Sequence, residues 1–129
     1  MSRTRIRTLK GLEKLARLRQ VALSSTLVRD LSPLAPLTRL ESVDISESKV
    51  LSLAPLKRVQ TLRFLYADST GITDIAPVVQ HPLLQTLSVV NALVPWVQLR
   101  TMALRMIRRG TKWEITANPF DMDALLDEI

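Results

Sequence analysis

The sequence of 129 residues contains no cysteine and a single histidine, His81. Without thiols, a disulfide framework, thiolate metal sites and a cysteine nucleophile are excluded, and the chain suits a reducing compartment. One imidazole excludes a multi-histidine metal site. Three glycines are too few for a phosphate-cradling loop. Aromatic residues make up only 4% of a chain that is 47% apolar, so its core has to be assembled from Leu, Val and Ile. No apolar run approaches the roughly 18 residues of a membrane-spanning helix. Arginines near Met1 are not followed by the apolar segment of a secretory signal. The expectation is one cytoplasmic domain covering residues 1–129.

Positive charge is present in excess but is unevenly spread. Arg3, Arg5, Arg7, Lys10, Lys14, Arg17 and Arg19 stand against Glu13 alone, which accounts for the whole formal charge of +6. From Gln20 onward the chain holds 11 basic and 11 acidic residues. A neutral body with a basic N-terminal end follows.

The strongest feature is internal repetition. The proline in Ser32-Pro33 returns in Ala54-Pro55 and Ala76-Pro77, a step of 22 residues. At the same step Leu18, Leu40, Leu62 and Leu84 align, as do Val21, Val43, Leu65 and Leu87, and Leu31, Leu53, Ile75 and Val97. The column Leu15, Leu37, Val59 is broken only by His81. Within a unit, Val21 and Leu23 are two apart and point to one side of a short strand. Val28, Leu31, Leu34, Leu37 and Leu40 then come every third residue, a spacing that suits a 3₁₀ or irregular return. A proline in each return limits regular α-helix there. Stacked units of this kind form a parallel sheet with a continuous aliphatic core behind it.

The segment Leu18-Arg-Gln-Val21-Ala-Leu23-Ser-Ser-Thr26-Leu-Val28, and the units beginning at Leu40, Leu62 and Leu84, resemble the leucine-rich repeat family, and its 22-residue class in particular. That class occurs in bacterial internalins and in regulatory subunits of eukaryotic phosphatases. The resemblance implies an α/β solenoid, a right-handed superhelix with the parallel sheet on its concave face, mostly 3₁₀ or irregular convex returns, and a C-terminal helical cap. It divides the single domain into a partial repeat over 1–17, regular repeats over 18–94, and a long last repeat with its cap over 95–129. The family's asparagine after the strand, which bridges neighbouring units, is replaced here by Thr26, Ser48, Thr70 and Ala92. Hydroxyls are expected to take over that bridging with less reach.

Both ends depart from the regular unit. Counting back places Thr4 in the Thr26 column and Ile6 in that of Val28, so an uncapped edge strand is expected near Met1, its arginines discouraging edge-to-edge pairing. A homodimer through that edge is the alternative. At the other end Pro95 suits the first position of a helix, with Trp96, Leu99, Met102, Ala103, Met106 and Ile107 at helical spacing and Gly110 as its stop. Trp113-Glu-Ile115-Thr-Ala-Asn118 reads as one more strand unit, 26 residues after its predecessor. Asn118 caps a closing helix from Pro119 to about Ile129, with Asp121 and Asp123 in its first turn.

Function is expected on the strand face, where side chains of successive units form a grid. Its rows are Gln20, Ser42, Phe64, Thr86 and Ala22, Asp44, Tyr66, Ser88, followed by Ser24, Ser46, Asp68, Val90 and Ser25, Glu47, Ser69, Asn91. Phe64 and Tyr66 point outward from one strand, and exposed aromatic pairs dominate interface energies. Asp44, Glu47 and Asp68 flank them. The expected role is a non-enzymatic module binding a protein or peptide that carries Arg or Lys beside an apolar group, without cofactor or metal. An electrostatic anchor for nucleic acid or anionic membrane through Arg3, Arg5, Arg7 and Lys10 is the alternative from another class. A bacterial effector or immunity-type protein using the same face is a third. Arg100, Arg105, Arg108, Arg109 and Lys112 read as a solvated helix face, paired with Asp121, Asp123, Asp127 and Glu128. His81 lacks an acid or nucleophile partner and reads as structural or exposed.

Overall fold

The computed structural model describes residues 9, 11–109 and 114–116. Strands β1 (Gln20–Ala22), β2 (Ser42–Asp44), β3 (Phe64–Tyr66), β4 (Thr86–Ser88) and β5 (Glu114–Thr116) form one parallel sheet in chain order. Val21, Val43, Leu65 and Leu87 stand side by side, with Gln20, Ser42, Phe64 and Thr86 before them and Ala22, Asp44, Tyr66 and Ser88 after. These are the two rows expected from the sequence. The central row is buried because alternate side chains of a strand face opposite ways.

Each strand is short, yet the ladder between units runs on. Leu23, Ile45 and Ala67 donate their N–H groups to the carbonyls of Asp44, Tyr66 and Ser88 at 2.7–2.8 Å. Two residues later Ser25, Glu47 and Ser69 donate to Ser46, Asp68 and Val90 at 2.7–2.9 Å. There the chain bends. Ser25, Glu47, Ser69 and Asn91 have φ of 57°, 59°, 54° and 59°. A residue with a Cβ in this left-handed region costs roughly 1–2 kcal/mol. The ladder holds the first three of these bends at matching places by bonding the same N–H group to the next unit.

After the bend come short returns: 3₁₀ turns over Ser32–Leu34 and Ala54–Arg58, then a single α-turn, α1 (Ala76–Val79). Pro33, Pro55 and Pro77 sit in their first turns, where the missing N–H would have no helical partner anyway. A polar side chain just ahead of each return bonds its first N–H group. Asp30 Oδ1 accepts the Ser32 hydroxyl at 2.6 Å and its N–H at 2.9 Å, and these bonds hold the Asp30 carboxyl below its usual range. Ser52 Oγ and Asp74 Oδ1 accept the N–H groups of Ala54 and Ala76 at 3.1 and 2.9 Å. The third return closes as α rather than 3₁₀, a difference of one residue in hydrogen-bond span that an every-third-residue apolar pattern does not resolve.

The core is the aliphatic stack expected, with Leu34, Leu37, Leu56 and Val78 wholly buried on the return side. Two column members fall outside it. Leu15 of the first unit is 50% exposed. Val97, aligned with Leu31, Leu53 and Ile75, is 55% exposed, because a longer helix replaces the short return there and turns this position outward. The hydroxyls also behave differently from expectation. Thr26 and Thr70 are buried but donate to Leu23 and Ala67 within their own units, at 2.8 and 2.9 Å. A hydroxyl is too short to cross the gap that an asparagine amide spans. Backbone does the bridging instead, from Lys49 N–H to the Val28 carbonyl and from Leu93 N–H to that of Ile72, both at 3.0 Å.

The last return is α2 (Trp96–Arg108). Pro95 is extended (ψ 139°) and stands just before the helix rather than as its first residue. Leu99, Met102, Ala103 and Met106 are buried, while Ile107 is 42% exposed, against expectation. Strand β5 pairs Ile115 with Leu87, a step of 28 residues instead of 26. A shift of two keeps the in–out alternation intact, so the strand pattern alone does not distinguish the two registers. The expected edge strand with Arg3, Arg5, Arg7 and Lys10, the stop at Gly110, Lys112, Trp113, Asn118 and the closing helix with Asp121, Asp123, Asp127 and Glu128 lie outside the described residues.

Candidate protein-binding face

The strands bring Phe64 and Tyr66 to the middle of the outward face, between Ser42 and Thr86 in one row and Asp44 and Ser88 in the next. Tyr66 is 36% exposed, and Phe64 is half-buried among its row. Gln20 is exposed, and Ser42, Asp44 and Thr86 are half-buried. Ser88 is not an open contact residue: it is 8% exposed and its hydroxyl donates to Asp68 Oδ1 at 2.6 Å. That oxygen also accepts the Val90 N–H at 2.8 Å, and the Asp68 N–H donates to Ser46 Oγ at 3.1 Å. Asp68 thus joins three units, which satisfies backbone that the turn leaves open. Asp44 Oδ1 accepts the Ser46 N–H at 3.0 Å. Glu47 is exposed and accepts the Ser25 hydroxyl at 3.0 Å. Of the three acids, Asp44 stands directly across from Tyr66, while Asp68 and Glu47 lie further along, at the turn. Each has a local bond that fixes its position.

One member of this side went unnoticed in the sequence. Glu41, at the entry to β2, lies between Arg19 and Arg63 of the neighbouring units, with N–O distances of 3.8 and 3.6 Å. Alternation of sign in the column Arg19, Glu41, Arg63 carried that signal. Below the strand ends, then, one carboxylate is shared by two arginines; within the strands themselves the outward charged residues are acids only, namely Asp44 and Glu114. Among the described residues no three His, Cys, Asp or Glu side chains converge to hold a metal ion.

On the return side His81 takes the place of an aliphatic residue, 1% exposed, with Nε2 at 2.7 Å from the Leu56 carbonyl. Burial pushes its pKa down, opposed by that hydrogen bond. A neutral ring donating from Nε2 fits both facts. Arg109, at the end of α2, donates to the carbonyls of His81 at 2.6 Å and Leu84 at 3.3 Å. At the other end of the helix Gln98 donates to Asp74 Oδ1 at 2.8 Å and accepts the Ile75 N–H at 2.7 Å. Two polar clasps therefore tie α2 to the unit before it.

This architecture is the leucine-rich repeat solenoid. Solved structures similar to it include Listeria monocytogenes internalin F, with a TM-score of 0.79 and 19% identity over 89% of this chain and 33% of the other. Internalin C2 of the same organism matches with a TM-score of 0.77 and 26% identity, over 89% of this chain and 48% of its own. A chain of the Drosophila melanogaster SNF/U2A′ complex matches at 0.66 and 17% identity, over 98% and 78%. The chain therefore spans a third to a half of the internalins it resembles. No family model matches the sequence, and no curated protein matches it. The fold needs apolar columns rather than particular residues, so shape persists where identity does not.

Proposed function

We propose that the chain is a non-enzymatic interaction module that takes a protein or peptide on its strand face. The observation that carries this reading is the aromatic pair Phe64 and Tyr66 at the centre of the face, with Asp44 across from Tyr66 and Glu47 exposed past the bend of the same unit as Asp44. The aromatics anchor an apolar group, and the carboxylates select a cation next to it. Asp68 adds its charge while serving the turn, and Gln20, Ser42 and Thr86 form the polar rim. The reading is in keeping with one similar fold having been solved within a complex, SNF/U2A′.

The test compares partner capture by the wild type, by Phe64→Ala with Tyr66→Ala, and by Asp44→Lys with Glu47→Lys. Both variants are expected to lose a partner that the wild type retains, while melting within a few degrees of it. Undiminished capture by the aromatic variant would sink the reading.

A further inference from the structure

Sorting the charges by side of the solenoid reveals a division that the neutral sum over residues 20–129 conceals. The returns Pro33–Leu40, Ala54–Leu62 and Ala76–Leu84, and all of α2, contain no carboxylate. Their charged residues are Arg39, Lys57, Arg58 and the three arginines of α2, Arg100, Arg105 and Arg108, with Arg109 directly after the helix. The acids among the described residues lie elsewhere, on the strand side and in the turns, where Asp30 and Asp74 are bonded to backbone. Among the described residues, then, the return side carries one sign of charge.

This basic side has a defined recess. Between α1 and α2 runs a groove of about 240 Å³, with Val79, Gln80 and Pro82 on one wall and Arg105, Arg108 and Arg109 on the other. Arg105 and Arg109 are one helical turn apart and lie on the flank of α2 that meets α1. The bonds from Arg109 to the His81 and Leu84 carbonyls hold its guanidinium down in the recess. Arg58 stands one unit earlier in the column of Gln80 and continues the basic track. Like charges a turn apart repel by a few tenths of a kcal/mol in a helix. No described carboxylate opposes them here.

We propose that this groove is a second docking site, independent of the strand face, for an acidic peptide segment of a partner protein. Guanidinium groups bind carboxylates through paired, charge-assisted hydrogen bonds. The Val79 and Pro82 wall suits the methylene stem of a glutamate. A flat bilayer would meet Val97, Thr101 and Arg108 along the exposed side of α2, whereas the Arg109 guanidinium is drawn toward the α1 side by its bonds to the His81 and Leu84 carbonyls. A single strand of nucleic acid would need aromatic stacking platforms, and no described aromatic side chain lines the groove. An extended peptide can lay one side chain into the recess and another along the track to Arg58.

The probe is a fluorescein-labelled Glu-rich peptide, with its Gln counterpart as control, read by anisotropy at low salt. Wild type is expected to bind the Glu peptide and not the Gln peptide. Arg105→Glu with Arg108→Glu, both exposed positions, should weaken binding at least about tenfold with an unchanged melting curve. Phe64→Ala with Tyr66→Ala should leave it intact, which separates this site from the strand face. The proposal is overturned by absence of Glu-peptide binding or by binding that survives the charge reversal. Tighter retention of the wild type on phosphatidylserine vesicles or on duplex DNA than on the peptide would overturn it too.

Discussion

The two sides of the solenoid obey different constraints. Along the strand side the first four strands repeat the same register, and each of four bends falls at a left-handed residue 22 positions from the last. Along the return side the same job is done by a 3₁₀ turn of three residues, one of five, a single α-turn and a helix of thirteen. The reason is physical. A strand is bonded to both neighbours, so its position is dictated from two directions, whereas a return has only to bury one face and arrive back at the sheet. Variation accumulates where backbone is least cross-linked, and so does the one-signed charge.

Removing a ladder side chain is the largest disturbance available to this contrast. Leu65→Ala, at a wholly buried position in the middle strand, should cost about 3 kcal/mol in urea unfolding. Leu93→Ala, at a side chain 67% exposed beyond the last bend, should stay within about 0.5 kcal/mol. Similar losses for the two would erase the distinction. Next in size is Arg109→Ala, which removes charge-assisted bonds to two carbonyls and should cost about 2 kcal/mol. Amide exchange should accelerate in α2 and around His81 while β1 and β2 keep their protection. Uniform acceleration would mean that the returns are as tightly coupled as the strands.

The smallest effect concerns His81. Its pKa is lowered in the folded chain by burial, so the unfolded chain takes up the proton first as pH falls. Stability is present in full above about pH 6.5 and is lost as pH falls from there through the lowered folded value. The loss should disappear in His81→Gln, whose amide can still donate to the Leu56 carbonyl without titrating. A pH dependence in this window that survives the substitution would assign it to other groups.

The strand rows were legible because two periods coincide in them, the alternation within a strand and the 22-residue step between strands. Where only one period operates, sequence reading lost its grip. Ile115 was assigned two residues from its true neighbour, since alternation alone admits either register. Val97 kept its column but not its burial once a helix replaced the turn. Ser88 looked like a contact residue, but it is buried between Tyr66 and Thr116 and bonded to Asp68. The aromatic pair was found correctly on the outer face, although Phe64 sinks further between Ser42 and Thr86 than its position in the row suggests. The division of charge was readable in principle. Adding charges along the chain averages over each unit, whereas adding them down the columns separates the two sides.

The recurrent left-handed residues carry a consequence for length. Ser25, Glu47, Ser69 and Asn91 share φ to within 5°. A block of 22 residues running from one to the next therefore starts and finishes in the same backbone state and faces the same neighbours. Such a block can be duplicated or deleted with both new junctions resembling old ones, as cloth is lengthened or cut along its weave. Size in this architecture is a matter of counting units. The aromatic pair occupies one such unit, and the arginine groove the two that follow it.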